Sequence, residues 1–333
     1  MAFFVLKTGK CQLPFSKIAN LCSAEILFWK DESTMKKRRV FALSCAALMA
    51  LSLTACGSGG NTNTPSSTGE NNAAVTGSGV EDGVLTVAME CGYAPYNWLQ
   101  SDDSNGAVAI SNGTGYANGY DVMIAKKICE ANGWELEIIQ ADWGSLVPGI
   151  QSGTYDAVIA GQSMTAERSE QVDFAGPYYY ATMVCVTKAD NPNASATSIS
   201  ELSGTCTAQE STIWYDACLP QIEGAQIQTA AESAPAMLMA LETGTVDFIC
   251  TDMPTARGAV AAYDDLVILD FSGTDGDFQF TDEERAENVN IGISVRKGNT
   301  ELKDAIDGVL STMTTDDFNT MMDEAIAIQP ISE

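Results

Sequence analysis

Two periodicities alternate along this chain from Gly83 almost to its end, and that alternation limits the folds open to it. Residues 85–89 (Leu-Thr-Val-Ala-Met) read as a short strand, and Asp121 reads as the cap of a helix in which Val122, Ala125, Ile128 and Cys129 recur at helical spacing until Gly133 stops it. A second strand at 136–139, a short helix at 145–152 carrying Leu146, Val147 and Ile150, and a third strand at 157–160 follow. The same succession returns at 205–209, 233–243 and 246–251. Strands separated by helices predict βαβ units, hence an α/β fold with mostly parallel sheets flanked by helices. Two runs stand outside the rhythm, 183–187 (Met-Val-Cys-Val-Thr) and 289–295 (Val-Asn-Ile-Gly-Ile-Ser-Val). Read as crossing strands between two lobes, they assign 83–190 and 288–333 to lobe 1 and 191–287 to an inserted lobe 2. Helical segments at 302–313 and 318–327 return to the first.

The segment before Gly83 reads differently. Met35-Lys36-Lys37-Arg38-Arg39 and the uncharged run 40–53 have the charged head and short apolar stretch of a secretory signal. Residues 1–34 are then upstream sequence outside any fold, and 35–55 the signal peptide. The run Leu53-Thr54-Ala55-Cys56-Gly57 resembles the lipobox of bacterial lipoproteins, which implies that Cys56 becomes the lipid-modified first residue of the mature protein. Residues 56–82, rich in Gly, Ser, Thr and Asn, cannot bury enough surface to fold; about 25 such residues reach roughly 25–30 Å, suiting a flexible tether.

Charge excludes whole classes of function. The chain has 17 Lys and Arg against 44 Asp and Glu, for a net −27, and no His. Removal of everything before Cys56 leaves 9 basic and 41 acidic residues, a net −32. Nucleic-acid backbones and anionic lipid surfaces would repel such a body. Without His, imidazole-dependent nucleophiles and His-ligated zinc are excluded. Six cysteines remain after Cys56 (Cys91, Cys129, Cys185, Cys206, Cys218 and Cys250), and they allow 15 connectivities of three disulfides or none. No cysteine spacing suggests a metal, and no cofactor is expected.

Four motifs carry a specific likeness. They are Gly119-Tyr-Asp-Val-Met-Ile-Ala-Lys-Lys, Asp142-Trp-Gly-Ser-Leu-Val-Pro-Gly-Ile-Gln-Ser-Gly, the run from Asp156 to Arg168 containing Ser163-Met-Thr-Ala-Glu-Arg, and Val172-Asp-Phe-Ala-Gly-Pro-Tyr178. In this order and spacing, the chain over 84–328 resembles the polar amino-acid substrate-binding proteins of ABC importers, the bacterial extracellular solute-binding proteins of family 3. The resemblance implies a two-lobed type II periplasmic-binding-protein-like fold. It also implies that an amino acid is captured outside the cell and handed to a permease and its ATPase. A monomer on the outer face of the membrane, tethered through Cys56, is expected.

The resemblance also implies a ligand site. Arg168, whose planar fork suits a carboxylate, takes the position of the family's α-carboxylate ligand, helped by a hydroxyl at Ser163. The backbone carbonyl of Gly161 and the carboxylate of Asp252, just past the strand at 246–251, take those of its α-ammonium partners. In Gln209-Glu-Ser-Thr212, the family's Gly-Thr pair meets the carboxylate from the other lobe, with Ser211 here in place of the usual Gly. Tyr93 and Trp143 match aromatic positions that flank the ligand side chain. Truncation of Arg168 or Asp252 is expected to abolish binding and leave the ligand-free melting temperature nearly unchanged.

Residue charge then selects among ligands. A zwitterionic backbone satisfies Arg168 and Asp252 and leaves Glu90 unpaired, and burying a lone carboxylate costs several kcal/mol or forces it to take up a proton. An arginine-like, basic amino acid is therefore expected, with a glutamine-specific protein as one alternative and Arg257 as a rival neutraliser of Glu90 or Asp252. The other alternative is a periplasmic enzyme of the cyclohexadienyl dehydratase type on the same scaffold. Against catalysis stand the full amino-acid constellation and the absence of His.

Overall fold

A computed structural model describes residues 80–330 except 283 and 286–288. The upstream segment, the signal peptide, Cys56 and nearly all of the tether therefore lie outside the described residues. The first half contains β1 (Val84–Met89), the short strands β2 (Gly92–Tyr93), β3 (Asn97–Gln100), β4 (Val108–Ala109) and β5 (Tyr116–Asn118), α1 (Tyr120–Asn132), β6 (Glu135–Gln140), α2 (Leu146–Ser152), β7 (Ala157–Val158), α3 (Ala166–Gln171) and β8 (Val172–Tyr179). There follow β9 (Met183–Lys188), β10 (Ser203–Thr207), β11 (Gly224–Ile227), α4 (Ala234–Glu242), β12 (Phe248–Asp252), α5 (Met253–Ala262) and β13 (Leu266–Leu269). The chain ends with β14 (Ile291–Arg296), α6 (Thr300–Leu310) and α7 (Thr315–Ile328).

Two five-stranded sheets result, in the orders β6-β1-β7-β14-β8 and β11-β10-β12-β9-β13, and β2 to β5 form a small antiparallel sheet after β1. In each large sheet a single strand runs against the rest: β14 is antiparallel to β7 and β8, and β9 to β12 and β13. Three residues separate β8 from β9, yet β9 pairs with strands of the second sheet, and β14 returns the chain to the first. β9 thus belongs to the second sheet, whereas the sequence reading placed 183–190 in the first lobe; a strand that reads as a crossing is one whose partners lie far along the chain. The crossing itself occupies 180–182.

The ends of α1 show another difference. Gly119, not Asp121, occupies the N-cap, at φ +123°, and a Cβ there would stand 2.4 Å from the Tyr96 carbonyl oxygen. Asp121 is turned inward instead, accepting hydrogen bonds from Asn97 Nδ2 and the Tyr178 hydroxyl, both at 2.7 Å. Asn97 Oδ1 in turn accepts from the Cys91 backbone N–H at 2.7 Å. This network clamps the loop that carries Tyr93 and Tyr96.

The last two helices lie where the sequence places them. On α6, Leu302, Ile306 and Leu310 are buried at four-residue spacing and face β8 and α1. Thr314 and Asp317 form a reciprocal capping box at the start of α7. Cys91, Cys129, Cys185, Cys206, Cys218 and Cys250 are buried free thiols, with Cys185 opposite Cys250 across β9 and β12. No helix among the described residues is long and apolar enough to cross a membrane.

Candidate ligand-binding site

The residues singled out from sequence converge where the parallel strands end. Glu90 follows β1, Trp143 follows β6, Gly161 and Ser163 follow β7, Gln209 follows β10, and Asp252 closes β12. Carboxyl ends of parallel strands leave a crevice in open α/β sheets because the connections there diverge.

Arg168 lies on α3, whose N-cap Thr165 accepts from the Arg168 backbone N–H at 3.3 Å. Its guanidinium donates to the Ser163 carbonyl at 2.8 Å and, across to the second half, to the Ser211 carbonyl. The Trp143 ring lies against it, 5.2 Å from centroid to Cζ. Arg168 is only 8% exposed and makes no ion pair among the described residues. Burial pulls its pKa down to about 10, with the Glu167 and Asp216 carboxylates opposing. Its side-chain hydrogen bonds thus run to neutral carbonyl oxygens, and no carboxylate among the described residues is in contact with the charge.

Asp252 sits at the opposite end of the charge pattern and is fully buried. Its Oδ1 accepts from the Thr255 N–H at 2.9 Å, capping α5, and its Oδ2 accepts from the Tyr96 hydroxyl at 2.8 Å. Burial raises its pKa, while the Thr255, Tyr96 and Tyr93 hydrogen bonds pull it back. The Tyr93 hydroxyl accepts from Thr255 Oγ1 at 2.9 Å. Gly161, at φ +61°, lies under the Tyr93 and Tyr96 rings, where a Cβ would come within 2.7 Å of Tyr93. Any side chain at 161 would collide with these two rings.

Glu90 is half-buried, and its Oε2 has no hydrogen-bond partner. Burial pushes its pKa up to about 7, with the Asp142 carboxylate adding to the rise and the nearby Gln209 amide opposing it. Arg257 does not neutralise it: that guanidinium pairs with Asp323 at 2.8 Å on the surface. Gln209 is fully buried, yet neither atom of its amide is hydrogen-bonded. Ser211 adopts the left-handed φ of +54°, the conformation that glycine takes most readily. The Thr212 hydroxyl donates to the Gln209 carbonyl at 2.7 Å, so its proton is already committed within the protein.

Four side-chain hydrogen bonds join the two halves here: Tyr96 to Asp252, Thr255 to Tyr93, Arg168 to Ser211, and Trp143 Nε1 to the Glu210 carbonyl at 3.1 Å. A cavity of about 740 Å³ opens on the Arg168 side, lined by Trp143, Arg168, Ser211, Thr212, Asp216 and Phe280 among others. A smaller one of about 300 Å³ lies against Glu90 and Asp142. Tyr93 and Asp252 line neither and are buried. Sequence reasoning missed Tyr96, Thr255 and Trp214, whose ring meets Tyr93 edge-on at 6.3 Å. A Thr three residues after a strand-end Asp was a usable capping signal for Thr255; nothing local marked the other two.

Three buried carboxyls have consequences for stability. Glu90 is raised to about 7, Asp121 to about 6 by burial, and Asp252 is raised as well. Each holds its proton more tightly folded than unfolded, so ionisation opposes folding. The ligand-free protein should therefore gain stability as pH falls from about 7.5 to about 5.5, by up to about 1.4 kcal/mol per unit for each group inside its window. Melting temperatures at those two pH values check this, and a lower value at the acidic end would contradict it.

Comparison with known proteins gives this geometry a context. The profile of the bacterial extracellular solute-binding proteins, family 3, matches residues 85–324. A probable histidine-binding protein of Campylobacter jejuni is 29% identical over 192 residues, 58% of this chain and 68% of that protein. The L-cystine-binding protein TcyA of Bacillus subtilis is 26% identical over 281 residues, 84% of this chain and 93% of that protein. Among solved structures, an ancestral arginine-binding protein bound to arginine aligns with a TM-score of 0.57 at 26% identity, over 73% of this chain and 97% of that one.

Proposed function

Because the chain belongs to the bacterial extracellular solute-binding proteins, family 3, we propose that it captures a basic, arginine-like amino acid between two closing lobes. It serves an ABC importer as the extracellular substrate-binding component, handing its ligand to a permease driven by an ATPase. The fold is the two-lobed type II periplasmic-binding-protein-like one, each lobe a mostly parallel sheet flanked by helices. Relatives named for histidine, cystine and arginine binding support an amino-acid ligand.

In this reading Arg168 takes the α-carboxylate, with Ser163 and the Thr212 segment beside it, while Asp252 and the Gly161 carbonyl take the α-ammonium. Tyr93 and Trp143 cover the stem of the side chain. The observation that favours a basic ligand is the half-buried Glu90 carboxyl, whose buried Oε2 lacks a partner and which Arg257 does not neutralise. A ligand cation there removes the cost of burying a lone charge.

A thermal-shift panel of the twenty common amino acids tests this. Ligand at about a hundred times its Kd stabilises by roughly 2.7 kcal/mol through mass action, enough to shift the melting temperature by several degrees. Arginine or another basic amino acid should give the largest shift; a large shift with glutamine and none with arginine would sink the charge argument.

A second reading draws on the same group, since a carboxyl near 7 also suits a general acid. In a cyclohexadienyl dehydratase Glu90 would protonate a leaving hydroxyl. Incubation with prephenate separates the two, because the binding reading expects no turnover. The reading extends to the leader: translation from Met35, cleavage before Cys56 and a lipid anchor on that residue, holding a monomer on the outer face of the membrane by its 56–82 tether.

A further inference from the structure

We propose that Cys185 and Cys250 form a modification site: in an oxidising medium their thiols join as a disulfide that ties β9 to β12 inside the second sheet. The bond is independent of which ligand the cleft takes.

Register fixes its geometry. Cys250 on β12 lies directly opposite Cys185 on β9, and the two strands are antiparallel. Facing residues in such a ladder alternate between pairs that exchange backbone hydrogen bonds and pairs that do not, and the latter bring their Cα atoms to about 4.5 Å. Two bonds at the ladder ends set the phase. The Met253 N–H donates to the Thr182 carbonyl at 2.9 Å, and on the other side of β9 the Ala189 N–H donates to the Asp265 carbonyl at 2.7 Å. From Met253 and Thr182 inward, Thr251 with Val184 and Ile249 with Val186 are hydrogen-bonded pairs, and Cys250 with Cys185 is not. From Ala189 inward, Cys185 turns its backbone groups toward Leu269 of β13, which agrees. The pair therefore falls within the range of about 4.4–6.8 Å between Cα atoms over which a disulfide closes, with both side chains on one face of the sheet.

Two other thiols lie on that face, and all four are completely buried. Cys206 faces Phe248 across β10 and β12, one diagonal step from Cys250, about 7–8 Å away and too far to bridge. Cys218 ends the helical turn Trp214–Cys218 and reaches Cys250 from outside the sheet, where no ladder sets the spacing of their Cβ atoms.

The oxidant is a small-molecule or protein disulfide of the medium outside the cell, where disulfides persist. The thiolate of one cysteine attacks a sulfur of that disulfide, giving a mixed disulfide and one released thiol; the second cysteine attacks the mixed disulfide and releases the other. The protein gives up two electrons and two protons, and the oxidant is recovered as two thiols. In the folded chain burial pushes the Cys250 thiol well above its ordinary value, and the Cys185 and Cys218 thiols beside it add to the rise. A thiol held protonated is a poor nucleophile, so the bond forms while the second sheet assembles. Once made, it closes a loop from β9 to β12 and restricts the unfolded chain.

Refolding of the purified protein from denaturant in a buffer of reduced and oxidised glutathione, beside a sample under excess reductant, tests this. Free thiols are then blocked with N-ethylmaleimide in denaturant, and the protein is digested without reduction for mass spectrometry. The oxidised sample alone should yield a peptide pair joined through Cys185 and Cys250, and it should melt several degrees above the reduced one. Cys218→Ala should keep both results, and Cys185→Ala should lose both. Blocked Cys185 and Cys250 in the oxidised parent, or a bond from Cys250 to Cys218 or Cys206, overturns the assignment, and the parent's peptides decide it even if a variant fails to fold. Equal melting temperatures beside a mapped Cys185–Cys250 bond overturn its stabilising role.

Discussion

Asp252→Asn is expected to weaken amino-acid binding by at least about a hundredfold with little change in the ligand-free melting temperature, and Arg168→Met to do the same. The choice of substituents follows from what each side chain does inside the protein. Asp252 caps α5 through Oδ1 and accepts the Tyr96 hydroxyl through Oδ2; the Asn oxygen keeps the cap, since Asn caps helices as well as Asp does, and Nδ2 can donate to the Tyr96 hydroxyl oxygen, reversing that bond. What Asn cannot supply is the charge that an α-ammonium needs. Asp252→Ala, by contrast, leaves a buried hydroxyl and a helix N–H without acceptors and should cost about 1–3 kcal/mol of stability besides binding. The expectation from sequence that Asp252 could be truncated with the melting temperature unchanged is thus revised by its second job. Arg168→Met deprives the Ser163 and Ser211 carbonyls of their guanidinium donor but also removes the cost of an unpaired buried cation, so the two effects on the ligand-free protein oppose one another. Titration calorimetry with parallel melting curves reads both quantities. Affinity within threefold of the parent in either folded variant would remove that residue from the site.

Glu90→Gln should change which ligand binds and at what pH. In the ligand-free protein the Glu90 carboxyl titrates near 7 because burial disfavours its charge. A cationic side chain beside it favours the ionised form, so binding expels a proton when the carboxyl begins protonated. The sign follows: arginine affinity is highest above about pH 7 and falls by up to about tenfold for each unit below it. Asp121 and Asp252 are also raised and titrate in both proteins, so the difference between parent and Glu90→Gln isolates Glu90. The variant should lose at least about tenfold in arginine affinity at neutral pH, keep any affinity for glutamine, and show a flatter profile between pH 5.5 and 8.5. Superimposable arginine profiles for the two proteins would end the argument that Glu90 faces the ligand cation.

Several parts of the site were visible in the sequence because their signals are local. Gly133 as a helix stop and the positions of Glu90, Trp143, Gln209 and Asp252 at strand ends follow from hydrogen bonds and periodicities that span a few residues. The resemblance to the solute-binding family added the expectation of a zwitterionic ligand with an extra cation. The same local reading misjudged Asp121, because a carboxylate two residues past a glycine can either cap a helix or point inward. Burial decided between them, through Asn97 and Tyr178.

By itself the sequence determined the alternation of strands and helices, the acidity of the body, and the charged groups available to a crevice. Only the tertiary structure decided that β9 joins the second sheet, that Arg257 turns to Asp323 rather than to Glu90, and that the Thr212 hydroxyl is already committed to the Gln209 carbonyl. It also brought Tyr96 to Asp252 across 156 positions of chain and left the Gln209 amide buried without a partner. The physical reason is range. Backbone propensity and capping act over a turn or two, whereas the partner of a buried polar atom depends on which strands pair and how the two lobes meet.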